Sequence, residues 1–256
     1  MSQPQQITLA VPDVDAAARW LASIVGGPTG SGPVFAFDPG VEVRLTACRA
    51  ARRTPPSITD LGTLHLCFRV DGINEVVDRI NGLPGTEALG DIIETPDGPI
   101  QGNKWIYFRS PWGSLFELQE WPDPPAYTRE NNARLYHEHP RQRAGALPGI
   151  RGLDHAGYSV ANLDSSIANL TEKAGAQYVL GTSLTVDEAF TRRQFGIDVA
   201  CTSTMAMVVA SGLNIELFEH GVGEQESPRG IDEVGGHSLV LSGTPWASDI
   251  ADVKAK

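Results

Sequence analysis

The sequence predicts an α+β fold in which tandem βαβββ modules form curved mixed sheets around a metal-binding cleft. Three observations predict it: a strand-then-helix pattern occurs four times, strand pairs follow the helices, and histidines and glutamates recur at matched positions. The 256 residues suffice for one or two domains, since a domain commonly takes about 150 residues.

Each copy of the pattern begins with an alternating apolar strand and continues through a short polar turn into an amphipathic helix. In the second copy, Leu66, Phe68 and Val70 fall on one face of the predicted strand. Apolar residues then recur at helical spacing from Ile73 to Ile80, as a helix packed on a sheet requires. The four copies span residues 6–27, 65–83, 155–175 and 237–256.

Strand pairs follow the first three helices and complete those modules. They are predicted at residues 33–37 with 41–48, in a shortened form, at 104–109 with 114–121, and at 204–210 with 213–219. The fourth copy extends only as far as its helix. A segment rich in Pro, Arg and Asn predicts a linker at residues 126–150, between a domain at 1–125 and a domain at 151–256.

The overall composition disfavours several classes of partner. With 20 basic and 31 acidic residues, the net charge of −11 repels phosphate backbones, so we expect no nucleic-acid binding. No apolar run approaches the ~20 residues of a membrane span, and the N-terminus lacks a basic, apolar leader. Three scattered cysteines are typical of a reducing compartment. We therefore expect a cytoplasmic protein that binds a small molecule and leave open whether it is a homodimer.

Metal-ligating residue types recur at equivalent positions of the copies. A histidine opens the strand in three of them, and a glutamate lies on the last strand of two; these residues are His65, His155, His237, Glu117 and Glu216. The first copy has Gln6 and Arg44 instead. Imidazole and carboxylate together bind divalent transition metals well, so the recurrence predicts a metal site. His220 has no counterpart in another copy, and we expect it at the surface.

Several stretches resemble a known group of proteins. The second-copy stretch YFRSPWGSLFELQEW and the third-copy stretches GLDHAGYSVANLDSS and LNIELFEH are similar to the vicinal oxygen chelate superfamily, and the resemblance covers nearly the whole chain except the linker. That superfamily includes glyoxalases, type I extradiol dioxygenases, epimerases and bleomycin resistance proteins. The resemblance implies metal ligation by His65, Glu117, His155, Glu216 and His237, with Glu117 and Glu216 also serving as catalytic residues.

The ligand set depends on which modules pair. Pairing the first with the second leaves His65 and Glu117, with Gln6 as a weak third ligand. Pairing the third with the fourth gives two histidines and one glutamate: His155, Glu216 and His237. Pairing the second with the third gives the full quartet of His65, Glu117, His155 and Glu216. We favour this last arrangement because it joins the two complete modules and leaves the two incomplete ones to cover each other.

The resemblance leaves three classes of function open. The first is a metalloenzyme that binds one divalent ion, with Fe²⁺ favoured over Zn²⁺, Mn²⁺, Ni²⁺ or Co²⁺, and acts on a small substrate with adjacent oxygens. Within it we lean toward an extradiol-dioxygenase-like reaction over a glyoxalase-like isomerase or lyase, because two histidines with one glutamate are secure under more than one pairing. The second is a metal-free drug-binding protein, with a cleft lined by Trp105, Tyr107, Phe108, Trp112 and Trp121. The third is a scaffold with a degenerate site.

Overall fold

The computed structural model describes residues 5–30, 32–37, 40–49, 54–129, 131–136, 142–241 and 243–246. Within these ranges the elements are, in chain order, β1 (Gln5–Val11), α1 (Val14–Val25), β2 (Val34–Phe37), β3 (Val41–Ala47), β4 (Leu64–Val70), α2 (Ile73–Asn81), β5 (Glu87–Glu94), β6 (Lys104–Arg109), β7 (Leu115–Glu120), a 3₁₀ turn (Ala126–Arg129), β8 (Ile150–Ser159), α3 (Leu163–Ala174), β9 (Gln177–Val186), α4 (Glu188–Phe195), β10 (Cys201–Ala210), β11 (Leu213–His220), β12 (His237–Leu241) and β13 (Thr244–Pro245). The helix predicted for the fourth copy lies outside the described residues.

Two mixed sheets form the framework, which confirms the predicted α+β class. The larger has eight strands in the order β5-β6-β7-β4-β8-β11-β10-β9, and the smaller has the order β13-β12-β1-β3-β2. The second and third modules join through the antiparallel pair β4 and β8, whereas the first and fourth meet through β1 and β12. The favoured pairing of the second module with the third is therefore the one that the structure has.

Each sheet combines strands from both sides of the segment at residues 126–150. The division into domains at 1–125 and 151–256 follows the order of the modules along the sequence. That division stays a prediction. None of the helices within the described ranges is long and apolar enough to cross a membrane.

The helices of the second and third modules are fastened to the sheet by equivalent carboxylates. Glu120 at the end of β7 accepts hydrogen bonds from the backbone N–H groups of Gly72 and Ile73 at the start of α2. Glu219 on β11 accepts one from the N–H of Leu163 at the start of α3. Negative charge is favourable at a helix N-terminus, where the backbone N–H groups lack partners. These contacts fix the two strands that carry Glu117 and Glu216.

The main core fills the space between the helices and the sheets, with an aromatic group around Trp20 of α1. The Trp20 ring lies 5.0 Å from Phe116, 5.1 Å from Trp112 and 6.3 Å from Phe108, measured between centroids. Phe108 and Phe116 are almost completely buried. Phe108 and Trp112, which the sequence placed in a drug-binding cleft, therefore belong to the core.

Two modules depart from the regular repeat. The first module contributes only β1, β2 and β3 besides its helix in the described residues. The third module carries an additional helix, α4, between β9 and β10, which the sequence did not predict. Gln194 of α4 forms two hydrogen bonds with the backbone of Asp91 on β5, so this helix links the two edge regions of the larger sheet.

Candidate metal centre

Four of the five predicted ligands lie on four neighbouring strands at the middle of the larger sheet. Glu117 is on β7, His65 on β4, His155 on β8 and Glu216 on β11, and these strands are consecutive in the sheet. A strand presents alternate residues to one face, so a side chain from each strand reaches the same point on the concave face. The second and third modules each contribute one histidine and one glutamate to this group.

The two imidazole nitrogens lie at nearly equal distances from each other and from the two carboxylate oxygens. Nε2 of His65 is 3.3 Å from Nε2 of His155. Oε2 of Glu117 is 3.3 Å from the first nitrogen and 3.2 Å from the second. Oε2 of Glu216 is 3.2 Å from both. These five distances match the edges of a tetrahedron whose corners lie roughly 2 Å from its centre, which is the usual bond length from zinc to nitrogen or oxygen.

Burial of two carboxylates at this point fits a cation. Glu117 and Glu216 are 3% and 4% exposed, and Oε2 of each lacks a hydrogen-bond partner among the described residues, although both oxygens lie 3.2–3.3 Å from imidazole nitrogens. Buried carboxylates without partners cost several kcal/mol (roughly, by the penalty for burying ions). A divalent metal at the centre would satisfy both oxygens and both nitrogens, so the donor set fits a metal.

The charges of the four groups are strongly linked. Burial by itself would raise the pKa of Glu216, but the His155 and His65 imidazoles lower it to about 2. Burial would lower the pKa of His65, whereas the carboxylates of Glu117 and Glu216 raise it above its ordinary value. A metal would compete with protons for these imidazoles, so the metal affinity should rise with pH.

A buried ion pair between Arg69 and Asp154 orients the His155 ring through its Nδ1 atom. Oδ1 of Asp154 lies 3.1 Å from Nδ1 of His155, and Nε of Arg69 donates a 2.7 Å hydrogen bond to Oδ2 of Asp154. With Nδ1 as the donor, Nε2 of the neutral ring is left free to bind a metal. Asp154 and His155 share a side because the strand has a bulge: Cys67 pairs with His155 and Phe68 with Leu153, which leaves Asp154 as the extra residue.

A glycine makes room for the His65 ring. Gly157 on β8 is the cross-strand partner of His65 on β4. A β-carbon at this position would lie 1.9 Å from Cε1 and 2.1 Å from Nε2 of His65. Any other residue at position 157 would therefore displace the imidazole from the ligand group.

A cavity of about 430 Å³ opens next to the four residues, with Glu117 and Glu216 in its wall. Most of its lining is apolar, and α4 contributes Phe190 and Phe195. Trp105 and Tyr107 line it as the sequence predicted. Trp121 instead packs against Tyr127, with 6.0 Å between ring centroids.

The other two histidines singled out in the sequence lie elsewhere. His237 opens β12 in the smaller sheet, where it pairs with Leu9 and its ring packs 5.3 Å from Tyr158. The structure does not bring His237 into the ligand group. His220 is 8% exposed and lines the cavity, so the expectation of a surface position was wrong. His220 is buried beside the hydroxyl groups of Ser159 and Ser203. The repeat pattern of the sequence could not predict this position, because it depends on which strands are adjacent in the fold.

Comparisons with known proteins agree with this fold. No family model matches the chain. A 2-epi-5-epi-valiolone epimerase from Actinomyces sp is 32% identical over 125 residues, and the match covers 48% of this chain and 63% of that protein, which is less than two thirds of its length. The structure of glyoxalase I from Zea mays is 17% identical, with a TM-score of 0.52 over 88% of this chain and 70% of that one. A point mutant of the same plant enzyme gives the same values.

These likenesses show that the chain has the fold of glyoxalase I, one of the kinds of protein that the sequence resemblance implied. The chain also carries a buried group of two histidines and two glutamates that could hold a metal ion. The fold supports many reactions, so the particular reaction has to be argued from the site.

Proposed function

We propose that the protein is a metal-dependent isomerase or epimerase, which moves a proton at a carbon next to a carbonyl group in a small substrate with adjacent oxygens. The single observation that carries the proposal is the four-donor set of His65, Glu117, His155 and Glu216, whose two glutamates lie in the wall of a mostly apolar cavity. The relative named as an epimerase supports the same class of reaction.

The number of protein ligands favours proton transfer over oxygen chemistry. Two histidines with one carboxylate leave three open positions, the arrangement typical of iron oxygenases. A fourth protein ligand removes one of these positions and favours a Lewis-acid role. The four-donor set therefore argues against the dioxygenase-like reaction with Fe²⁺ that the sequence favours, and Zn²⁺, Mn²⁺, Ni²⁺ or Co²⁺ would serve equally well.

A divalent ion held by the four residues would supply Lewis acidity, which makes a C–H bond next to a carbonyl group easier to deprotonate. The residues of the chain then have separate tasks. Arg69 and Asp154 hold His155 in the tautomer that binds a metal. Glu117 and Glu216 face the cavity and carry the carboxylates that can accept the substrate proton at an oxygen atom. The apolar walls exclude water, which strengthens every charge interaction at the site.

Hydrogen exchange with solvent tests this function directly. In deuterated water without oxygen, the Zn²⁺-loaded protein should exchange the carbon-bound hydrogens next to the carbonyl of small hydroxyketones, beginning with dihydroxyacetone, as followed by NMR. A chelator should abolish the exchange, and Glu216→Gln should lower its rate at least about 100-fold, a typical contribution of an acid–base group. Glu224→Gln, which changes an exposed glutamate just after the same strand, is the control and should leave the rate unchanged.

Two results would contradict the proposal. Turnover that requires dioxygen and consumes it stoichiometrically would identify an oxygenase. Tight binding of aromatic drugs by protein that neither binds metal nor catalyses exchange would identify a binding protein instead.

A further inference from the structure

One wall of the cavity carries a buried amide that the metal chemistry leaves unused. Gln119 lies on β7 two residues after Glu117, so its side chain is on the same face of the strand. It lines the cavity, is 5% exposed, and its Oε1 has no hydrogen-bond partner among the described residues. Buried polar atoms are normally paired, so this oxygen is an acceptor that a ligand in the cavity would satisfy.

The opposite arm of the sheet carries a chain of hydrogen bonds whose direction is fixed at one end. The hydroxyl of Ser159 donates its only hydrogen to the backbone carbonyl of Ile58. Oγ of Ser159 also lies 3.2 Å from Nε2 of His220. Because its hydrogen is already used, Ser159 must accept this second hydrogen bond, and Nε2 of His220 must carry a proton.

The direction of that bond determines what Ser203 presents to the cavity. Burial and the nearby His65 lower the pKa of His220 to about 4, with Glu216 and the Ile58 backbone opposing the shift, so the ring is neutral at pH 7 and has a single proton. With that proton on Nε2, Nδ1 is bare and accepts the hydroxyl hydrogen of Ser203, whose Oγ is 2.8 Å away. Cys201 Sγ is a further neighbour of this oxygen at 3.3 Å. Ser203 therefore turns its hydrogen toward His220 and offers only lone pairs to a ligand.

We propose that Gln119 and Ser203 form a two-point acceptor site for hydroxyl groups of the substrate, and that His220 is a positioning residue which keeps Ser203 an acceptor. β7 and β10 lie on either side of the strands that carry His65 and His155, and both acceptors line the same cavity as Glu117 and Glu216. The inference rests on the proposed function and deepens it: the substrate is a polyhydroxylated carbonyl compound with a hydroxyl group on each side of the reacting carbon. A substrate without these donors leaves buried acceptors unpaired and binds more weakly.

Binding of a short ketose to the Zn²⁺-loaded protein tests the site. The probes are erythrulose and its two analogues in which one or the other terminal hydroxyl is replaced by hydrogen, with dissociation constants from NMR titration. The wild-type protein should bind erythrulose about tenfold more tightly than either analogue, the effect of one buried hydrogen bond. Ser203→Ala should abolish the preference for erythrulose over one of the two analogues only. Gln119→Met should abolish the preference over the other analogue only.

The role of His220 has its own readout. His220→Phe should weaken the preference that Ser203→Ala abolishes, because the Ser203 hydroxyl then loses the acceptor that holds its hydrogen. Nitrogen NMR of the wild-type His220 should show a protonated Nε2 and a bare Nδ1 at pH 7. Thr204→Val is the control: it removes a hydroxyl from the neighbouring position of β10, where Thr204 bonds to Ser183, and should preserve both preferences.

Equal affinity of the wild-type protein for erythrulose and both analogues would overturn the inference, as would unchanged preferences in Ser203→Ala and Gln119→Met. In either case hydrogen exchange that still depends on metal would leave the proposed function standing. Loss of metal binding or of exchange in the wild-type protein would instead overturn the proposed function itself.

Discussion

At the scale of single residues, the least conspicuous position of the site is a glycine. Gly157 contributes no side chain, yet a β-carbon there would overlap the ring of His65. We predict that Gly157→Ala lowers metal occupancy several-fold in metal analysis of the purified protein, since one of the two imidazoles is displaced. Gly223→Ala is the matched control, because a β-carbon at position 223 has open space. Full metal occupancy in Gly157→Ala would show that His65 does not hold the ion.

Single residues also show where inference from sequence stops. His65, Glu117, His155 and Glu216 could be predicted because a histidine recurs at the same position of three copies and a glutamate at the same position of two, and only two copies carry both. Asp154 could not, because regular alternation places the neighbour of a ligand on the opposite face of the strand, and only the bulge in β8 reverses that. The hydrogen-bond chain through Ser203 and His220 depends on which strands are adjacent in space, and no repeat marks it.

At the scale of secondary structure, α4 shows why an element can escape prediction. Its buried residues are the polar Thr191 and Gln194, so the segment lacks the apolar periodicity that marks the other helices. The helix is held by specific hydrogen bonds: Oε1 of Gln194 accepts from the N–H of Asp91 at 2.7 Å, and its Nε2 donates to the Asp91 carbonyl at 2.9 Å. These bonds hold α4 in place, and with it Phe190 and Phe195, which line the cavity.

The two hydrogen bonds between Gln194 and the Asp91 backbone give a prediction for the stability of the fold. Gln194→Ala should lower the free energy of unfolding in urea by roughly 1–3 kcal/mol, because it leaves two backbone groups of Asp91 without partners. It should also speed hydrogen exchange of the α4 amides. Arg193→Ala removes only an exposed ion pair to Asp91 at 3.4 Å and should cost less than about 1 kcal/mol. Equal losses in the two variants would contradict the role given to Gln194.

At the scale of the whole molecule, the sequence predicted the modules but left their pairing open. Every pairing satisfies the same strand-and-helix pattern, and the predicted linker at residues 126–150 is long enough to permit each of them. The structure joins the second and third modules through β4 and β8, which brings both complete histidine–glutamate pairs to one place. The first module, with Gln6 and Arg44 at the equivalent positions, shares the smaller sheet with the fourth.

The most direct test of this account compares the metal content of His65→Ala and His237→Ala, purified without an affinity tag and loaded with Zn²⁺ in parallel. The site formed by the second and third modules predicts that His65→Ala loses its metal whereas His237→Ala retains one ion per chain, with far-ultraviolet circular dichroism unchanged in both. Loss of the metal in His237→Ala together with its retention in His65→Ala would place the centre between the third and fourth modules and contradict the account.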